Sequence, residues 1–164
     1  MSGGGEPSFL LDGMLGRLAR WLRLLGYDAA YEPSLPDAQL ARRARAEGRI
    51  LLTRDRVLAR RRGVRAVLVR EDRLEGQLAQ LRRELGLSWQ GRRPRCPACN
   101  EPLEPMPRDE AWGLVPPYVF VHHERFDLCP SCERVYWRGT HVEDVERRLQ
   151  DLEAGARAGE GEGR

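Results

Sequence analysis

The sequence predicts an α/β layer fold with a parallel sheet, followed by a small four-cysteine zinc module. Short apolar runs alternate with helical patterns from residue 8 to residue 89. All four cysteines fall between Cys96 and Cys132, as two CxxC pairs. Between these parts, Gln90-Gly91-Arg92-Arg93-Pro94-Arg95 is polar and rich in breakers, the composition of a linker. The expected organisation is an α/β domain at 8–89 and a zinc module with a terminal helix at 90–152. Residues 1–7 and 153–164 are expected to be disordered, because MSGGGEP and GARAGEGEGR carry no apolar periodicity.

The elements follow in chain order. Ser8 to Leu11 reads as a strand ending at Asp12. From Gly13 to Leu25, the residues Met14, Leu15, Leu18, Trp21, Leu22 and Leu25 recur at helical spacing, and Gly26 stops the helix. Tyr27 to Tyr31 is a weaker strand. Pro36-Asp37 opens a helix to Glu47, with Ser34 a candidate cap and Gly48 the stop. Ile50 to Thr53 is the third strand, and a short helical piece runs from Asp55 to about Arg61. Val64 to Val69 is the fourth strand, and Leu74 to Leu85 a helix ending at Gly86. Repeated β–α alternation with short apolar strands means parallel strands flanked by helices. Beyond the linker, Val115 to Val121 has strand-like content, and Val142, Val145, Leu149 and Leu152 predict a terminal helix.

Composition bounds the chemistry. Hydrophobic residues make up 41% of the 164 and charged residues 32%, which suits a soluble domain with a buried core. No apolar run approaches the roughly 20 residues needed to span a bilayer, and the start lacks a positive n-region, so a cytoplasmic protein is expected. All 28 basic residues are arginine. The absence of lysine excludes Schiff-base and pyridoxal-phosphate chemistry and the P-loop. The net charge of +3 favours an anionic partner only mildly. Arginine-only usage suits forked contacts to phosphate, and equally suits a composition bias or heat adaptation.

Ligands of open α/β sheets sit outside the carboxyl ends of the strands. Asp12 lies at that end of the first strand, and Thr53-Arg54-Asp55 at that end of the third. Asp37, in the first turn of the helix after the second strand, faces the same edge. Three aspartates on one rim repel one another unless a cation neutralises them. Carboxylate oxygens without nearby histidine or cysteine favour Mg²⁺ or Mn²⁺ over Zn²⁺, and such a metal is the usual device for hydrolysing a phosphodiester. Structural readings stand beside these. Asp37 and Asp55 are each placed to favour a helix N-terminus. Thr53 and Arg54 are either turn residues or holders of a scissile phosphate. Glu71 and Asp72 read as a solvated loop rather than a fourth acid.

The run Phe9-Leu-Leu-Asp-Gly-Met-Leu-Gly-Arg-Leu-Ala-Arg-Trp-Leu-Arg-Leu-Leu-Gly-Tyr-Asp28, followed by Ile50-Leu-Leu-Thr-Arg-Asp55, resembles the Mut-seven carboxy-terminal (Mut7-C) ribonuclease domain, a compact relative of the PIN nucleases. The resemblance covers residues 8 to 150. It implies a PIN-like three-layer α/β/α domain, a metal-dependent RNase site with acids at Asp12, Asp37 and Asp55, and a fused zinc ribbon. Here the second acidic position is represented by Asp37 alone.

Cys96-Pro-Ala-Cys99 and Cys129-Pro-Ser-Cys132 are two knuckles, each presenting a pair of thiolates to one Zn²⁺. Disulfides are disfavoured without a secretory signal. Four sulfur ligands leave no open position, so the zinc is expected to be structural. His122-His123 is expected to be a partly exposed strand pair rather than a ligand pair. Arg134 to His141 mixes aromatics with arginines, which suits either cladding of the zinc module or stacking on RNA bases. The leading expectation is a Mg²⁺- or Mn²⁺-dependent endoribonuclease whose zinc ribbon aids RNA binding. The competing one is a non-catalytic RNA-binding or ribosome-associated module.

Overall fold

The computed structural model describes residues 5–159, apart from the side chains of 140–142, 152–153 and 155–159. The ends of the expected disordered segments (1–4 and 160–164) and the side chains of His141, Val142 and Leu152 lie outside the described residues. Two compact units form. One comprises Met1–Glu71 with Trp89–Pro102, the other Asp72–Ser88 with Leu103–Arg164.

The first unit holds a four-stranded parallel sheet of β1 (Phe9–Leu11), β2 (Ala29–Tyr31), β3 (Ile50–Thr53) and β4 (Ala66–Leu68), in the order β2-β1-β3-β4. Its helices are α1 (Gly16–Leu24), α2 (Asp37–Glu47) and α3 (Arg56–Ala59). The inner strands β1 and β3 are buried throughout, which is why both read as continuous apolar runs. On one face Leu10, Ala30 and Leu51 pack with Leu40, Ala41 and Ala44 of α2 and Leu58 of α3. Strand alternation sends Phe9, Leu11 and Leu52 to the other face. Right-handed crossovers account for the sides: β1 to β2 runs one way along the sheet, while β2 to β3 and β3 to β4 run the other.

Strand order also fixes where a ligand fits. The connection leaving β1 departs toward β2, and the connection leaving adjacent β3 departs toward β4. The crevice outside the carboxyl ends of β1 and β3 is therefore a topological switch point.

The second unit contains α4 (Leu74–Leu85), an antiparallel sheet of β5 (Glu104–Met106), β6 (Phe126–Leu128) and β7 (Val135–Trp137), the short α5 (Pro117–His122), and α6 (Thr140–Gly159). Phe126, Ala111, Val115 and Val119 form its small core, with Met106, Phe120, Val135 and Trp137 packed against it. Arg148 of α6 pairs with Glu75 of α4 at 2.9 Å.

Several expectations change. The units do not divide near residue 90. Helix α4 packs on α6 and groups with the later residues. The first knuckle groups with the sheet unit, where Arg95 N donates to Arg23 O at 2.8 Å and Asn100 Nδ2 to Asp28 at 2.7 Å. The strand-like run Val115 to Val121 is instead largely helical in α5. Pro117 sits at the first helical position, where a fixed φ and a missing N–H favour a helix over a sheet ladder. His122 consequently ends a helix, and its ring lies 4.5 Å from that of Tyr118. Ser34 caps nothing, since Pro36 occupies the N-cap of α2. Helix α6 continues to Gly159, into the segment expected to be disordered from residue 153. Three alanines in that stretch are strong helix formers.

Candidate active site and four-cysteine centre

Asp12 follows the last residue of β1 and is 8% exposed. Its extended backbone caps a single 3₁₀ turn, Gly13–Leu15, and its Oδ1 accepts from Met14 N at 3.1 Å. Its Oδ2 accepts from the Thr53 hydroxyl. The same hydroxyl oxygen accepts from Asp55 N at 3.0 Å. Asp55 Oδ1 in turn accepts from Val57 N at 2.7 Å and Leu58 N at 3.0 Å, capping α3. A continuous chain of hydrogen bonds thus runs across the switch point from Asp12 through Thr53 to Asp55. Asp55 is exposed, and its Oδ2 has no hydrogen bond among the described residues.

Thr53 is fully buried at 0% exposure, with its hydroxyl donating to one aspartate and accepting from the next. It is a strut between two strands. Arg54 directs its guanidinium to the main-chain oxygen of Glu71. Glu71 and Asp72 are exposed loop residues. Asp37 is exposed at the start of α2, on the same edge of the sheet. The three aspartates do not close as a set. Among the described residues, the four cysteines form the one group of three or more candidate metal ligands within 4.8 Å.

Sequence reading missed what supports the Asp12 turn. Tyr31, ending β2, donates its hydroxyl to Gly13 O at 2.9 Å. A Cβ on Gly16 would stand 2.9 Å from that phenol oxygen, and one on Gly13 would stand 3.1 Å from Pro33 O. The glycines of Gly13-Met14-Leu15-Gly16 therefore let β2 and its following loop press against the turn. The one sequence signal was their spacing.

The carboxylates fit a hard divalent ion. Each oxygen of Asp12 retains acceptor capacity beyond its one hydrogen bond, and Asp55 keeps a whole oxygen.

The four thiols lie within 4.8 Å of one another, and none forms a disulfide. Zn–S bonds of about 2.3 Å set thiolates at about 3.8 Å apart, so the cluster fits a tetrahedral zinc. Both knuckles repeat one backbone pattern. Cys96 N donates to Glu101 O at 2.7 Å and Asn100 N to Cys96 O at 2.8 Å. Likewise Cys129 N donates to Arg134 O at 2.9 Å, and Glu133 N to Cys129 O at 2.9 Å. The residue after each second cysteine, Asn100 or Glu133, is left-handed at φ 68° or 60°. Such a turn aims both sulfurs of a CxxC pair at one point, and Cys132 N also donates to Cys129 Sγ at 3.5 Å. Trp137 packs on the unit's core, and Tyr136 lies beside it on β7, half-buried, so the aromatic stretch serves at least in part as cladding.

The Mut7-C RNAse domain family matches residues 7–149, nearly the whole chain. The chain belongs to this family. Its name gives a ribonuclease, with RNA as the substrate class. No curated protein and no solved structure matches the chain significantly. Among the described residues, no helix is long and apolar enough to cross a membrane.

Proposed function

We propose that this Mut7-C protein is a divalent-metal-dependent endoribonuclease with its reaction centre at the β1–β3 switch point. The observation that carries the reading is the Asp12–Thr53–Asp55 chain of hydrogen bonds in that crevice. Asp12 and Asp55 would hold Mg²⁺ or Mn²⁺, and Asp37 would complete the acidic edge from α2. When bound, such an ion activates water and stabilises charge on the scissile phosphate. The chain's own residues set the geometry. Thr53 acts as a positioning residue, fixing the Asp12 carboxylate and the Asp55 backbone in one arrangement. Met14 N holds the second oxygen of Asp12, so the carboxylate cannot rotate away. Arg54 steadies the loop after β3 through Glu71 O rather than gripping phosphate. The cysteine cluster would hold Zn²⁺ in a structural role, since all four of its coordination positions are filled.

The test is cleavage of single-stranded RNA with Mg²⁺ or Mn²⁺ by wild type and Asp12→Asn. Asparagine keeps the side-chain shape and one acceptor oxygen for Met14 N, presents its amide N–H to the Thr53 oxygen instead of accepting from it, and removes the charge. The variant is expected to melt as wild type does and to lose about 100-fold or more in rate. Undiminished cleavage by Asp12→Asn would sink the assignment.

A further inference from the structure

Arginine is not spread evenly over this chain. Residues 54–65, Arg-Asp-Arg-Val-Leu-Ala-Arg-Arg-Arg-Gly-Val-Arg, contain six arginines and one acid. Six against one gives this stretch a net +5, whereas the whole chain carries +3, so the rest of the chain is net acidic. A general composition bias toward arginine does not produce that segregation.

The structure separates these arginines from others of the same unit. Arg43 pairs with Glu32 and Glu47, Arg49 with Asp28 and Glu47, and Arg92 with Glu6. By contrast Arg56, Arg60, Arg61, Arg62 and Arg65 are exposed and have no ion pair among the described residues. Their segment is nonetheless held in shape. Arg60 N and Arg61 N donate back to Val57 O and Leu58 O at 3.3 and 3.2 Å. Arg45, reaching over from α2, donates to Gly63 O at 3.0 Å and Arg62 O at 3.2 Å. Gly63 is left-handed at φ 77°. Unpaired like charges on a braced turn repel one another with no internal compensation, and guanidinium forks carried on such a fixed backbone complement phosphate oxygens. The row begins at Arg56, one residue past Asp55, so a backbone lying along it leads to the candidate reaction centre.

Two exposed apolar side chains stand at the same lip. Val57 is 83% exposed and Met14 75%, and their backbone N–H groups are the ones that hold Asp55 and Asp12. An unpaired base offers a face to such side chains, and a duplex hides it.

We infer that the α3 segment, Arg56 with Arg60-Arg61-Arg62, is the track that binds the phosphate backbone of single-stranded RNA and delivers it to Asp12 and Asp55. This rests on the nuclease reading for its destination but not for its measurement. Binding is followed by fluorescence anisotropy with a labelled oligouridine carrying hydrolysis-resistant phosphorothioate linkages, over a salt series. The triple variant R60Q/R61Q/R62Q should lower the slope of log affinity against log salt by about 2, and affinity about 100-fold at 0.1 M salt, from about 0.7 per lost single-strand phosphate contact. R60K/R61K/R62K, which keeps the charges, should retain the slope and confirm that the turn still folds. A control that neutralises three exposed arginines elsewhere, R42Q/R83Q/R93Q, should change the slope far less. An unchanged slope in the glutamine triple, an equal fall in the control, or tighter binding of a duplex of the same length would each overturn the inference. Full RNA binding by a protein that never cleaves RNA would leave it standing and remove the nuclease reading instead.

Discussion

Asp28 and Arg49 form an ion pair at 2.8 Å, and Asn100 Nδ2 donates to the same carboxylate oxygen at 2.7 Å. Burial pushes the Asp28 carboxyl up, but hydrogen bonds from Arg49 and Asn100, with the charges of Arg49 and Arg95, outweigh it and hold the group below its ordinary value. The unfolded chain therefore binds the proton more readily than the folded one. The stabilisation is complete above the unfolded value of about 4 and is lost as pH falls through the lower folded value. Asp28→Asn should cost about 1 kcal/mol at pH 7, the scale of a partly exposed pair. That deficit should shrink below about pH 4, which urea titrations across acid pH would show. A deficit independent of pH would mean that the carboxylate charge contributes nothing. The sequence places Asp28 inside the strand expected from Tyr27 to Tyr31 and gives no sign of its ion pair, because its partners lie 21 and 72 residues away.

At the scale of elements, α3 carries two demands on one residue. Asp55 caps the helix through Val57 N and Leu58 N, which is what a purely structural acid does and what the non-catalytic reading requires. Substitution separates the roles. Serine caps nearly as well as aspartate but offers no carboxylate, so Asp55→Ser should leave stability within about 0.5 kcal/mol and reduce cleavage at least 10-fold. Asp55→Ala should lose both, at about 1 kcal/mol of stability. Thermal melts beside RNA cleavage rates check this, and full activity in Asp55→Ser would make the residue a cap alone. Elements with strong local signals were legible. Helix α4 runs Leu74–Leu85 and β3 runs Ile50–Thr53, both as the periodicity and the Gly86 stop predict. Helix α5 was not, because Val119 and Val121 favour a strand while the Pro116-Pro117 entry and burial of Val119 decide for a helix.

For the whole molecule, the four-cysteine centre is the feature whose loss should be felt most widely. The two knuckles stand far apart in sequence; the first is tied into its unit where Arg23 donates from its guanidinium to Pro97 O at 2.7 Å, and the second lies in the turn between the paired strands β6 and β7. Structural zinc sites contribute folding free energy directly. Treatment with a strong zinc chelator, or Cys129→Ser, should lower the melting temperature by about 10 °C or more. Metal analysis of the untreated protein should give one zinc per chain, and Mg²⁺ should not restore the lost stability. An unchanged melting curve after zinc removal would make the cluster dispensable to the fold.

The sequence alone determined what depends on neighbours along the chain. Within residues 8–89 strand and helix identity follow from short-range periodicity, the knuckles follow from CxxC spacing, and the positions of Asp12 and Asp55 from their place at strand ends. Tertiary structure alone decided what depends on distant pairing. Strand order β2-β1-β3-β4 places β1 beside β3 and so brings Thr53 onto Asp12 across 41 residues. The same order leaves Asp37 at the outer strand, short of closing a triad. Which arginines are spent on internal partners and which face solvent is likewise settled only by folding, because an arginine's charge is fixed by its chemistry but its partner is fixed by its neighbours in space.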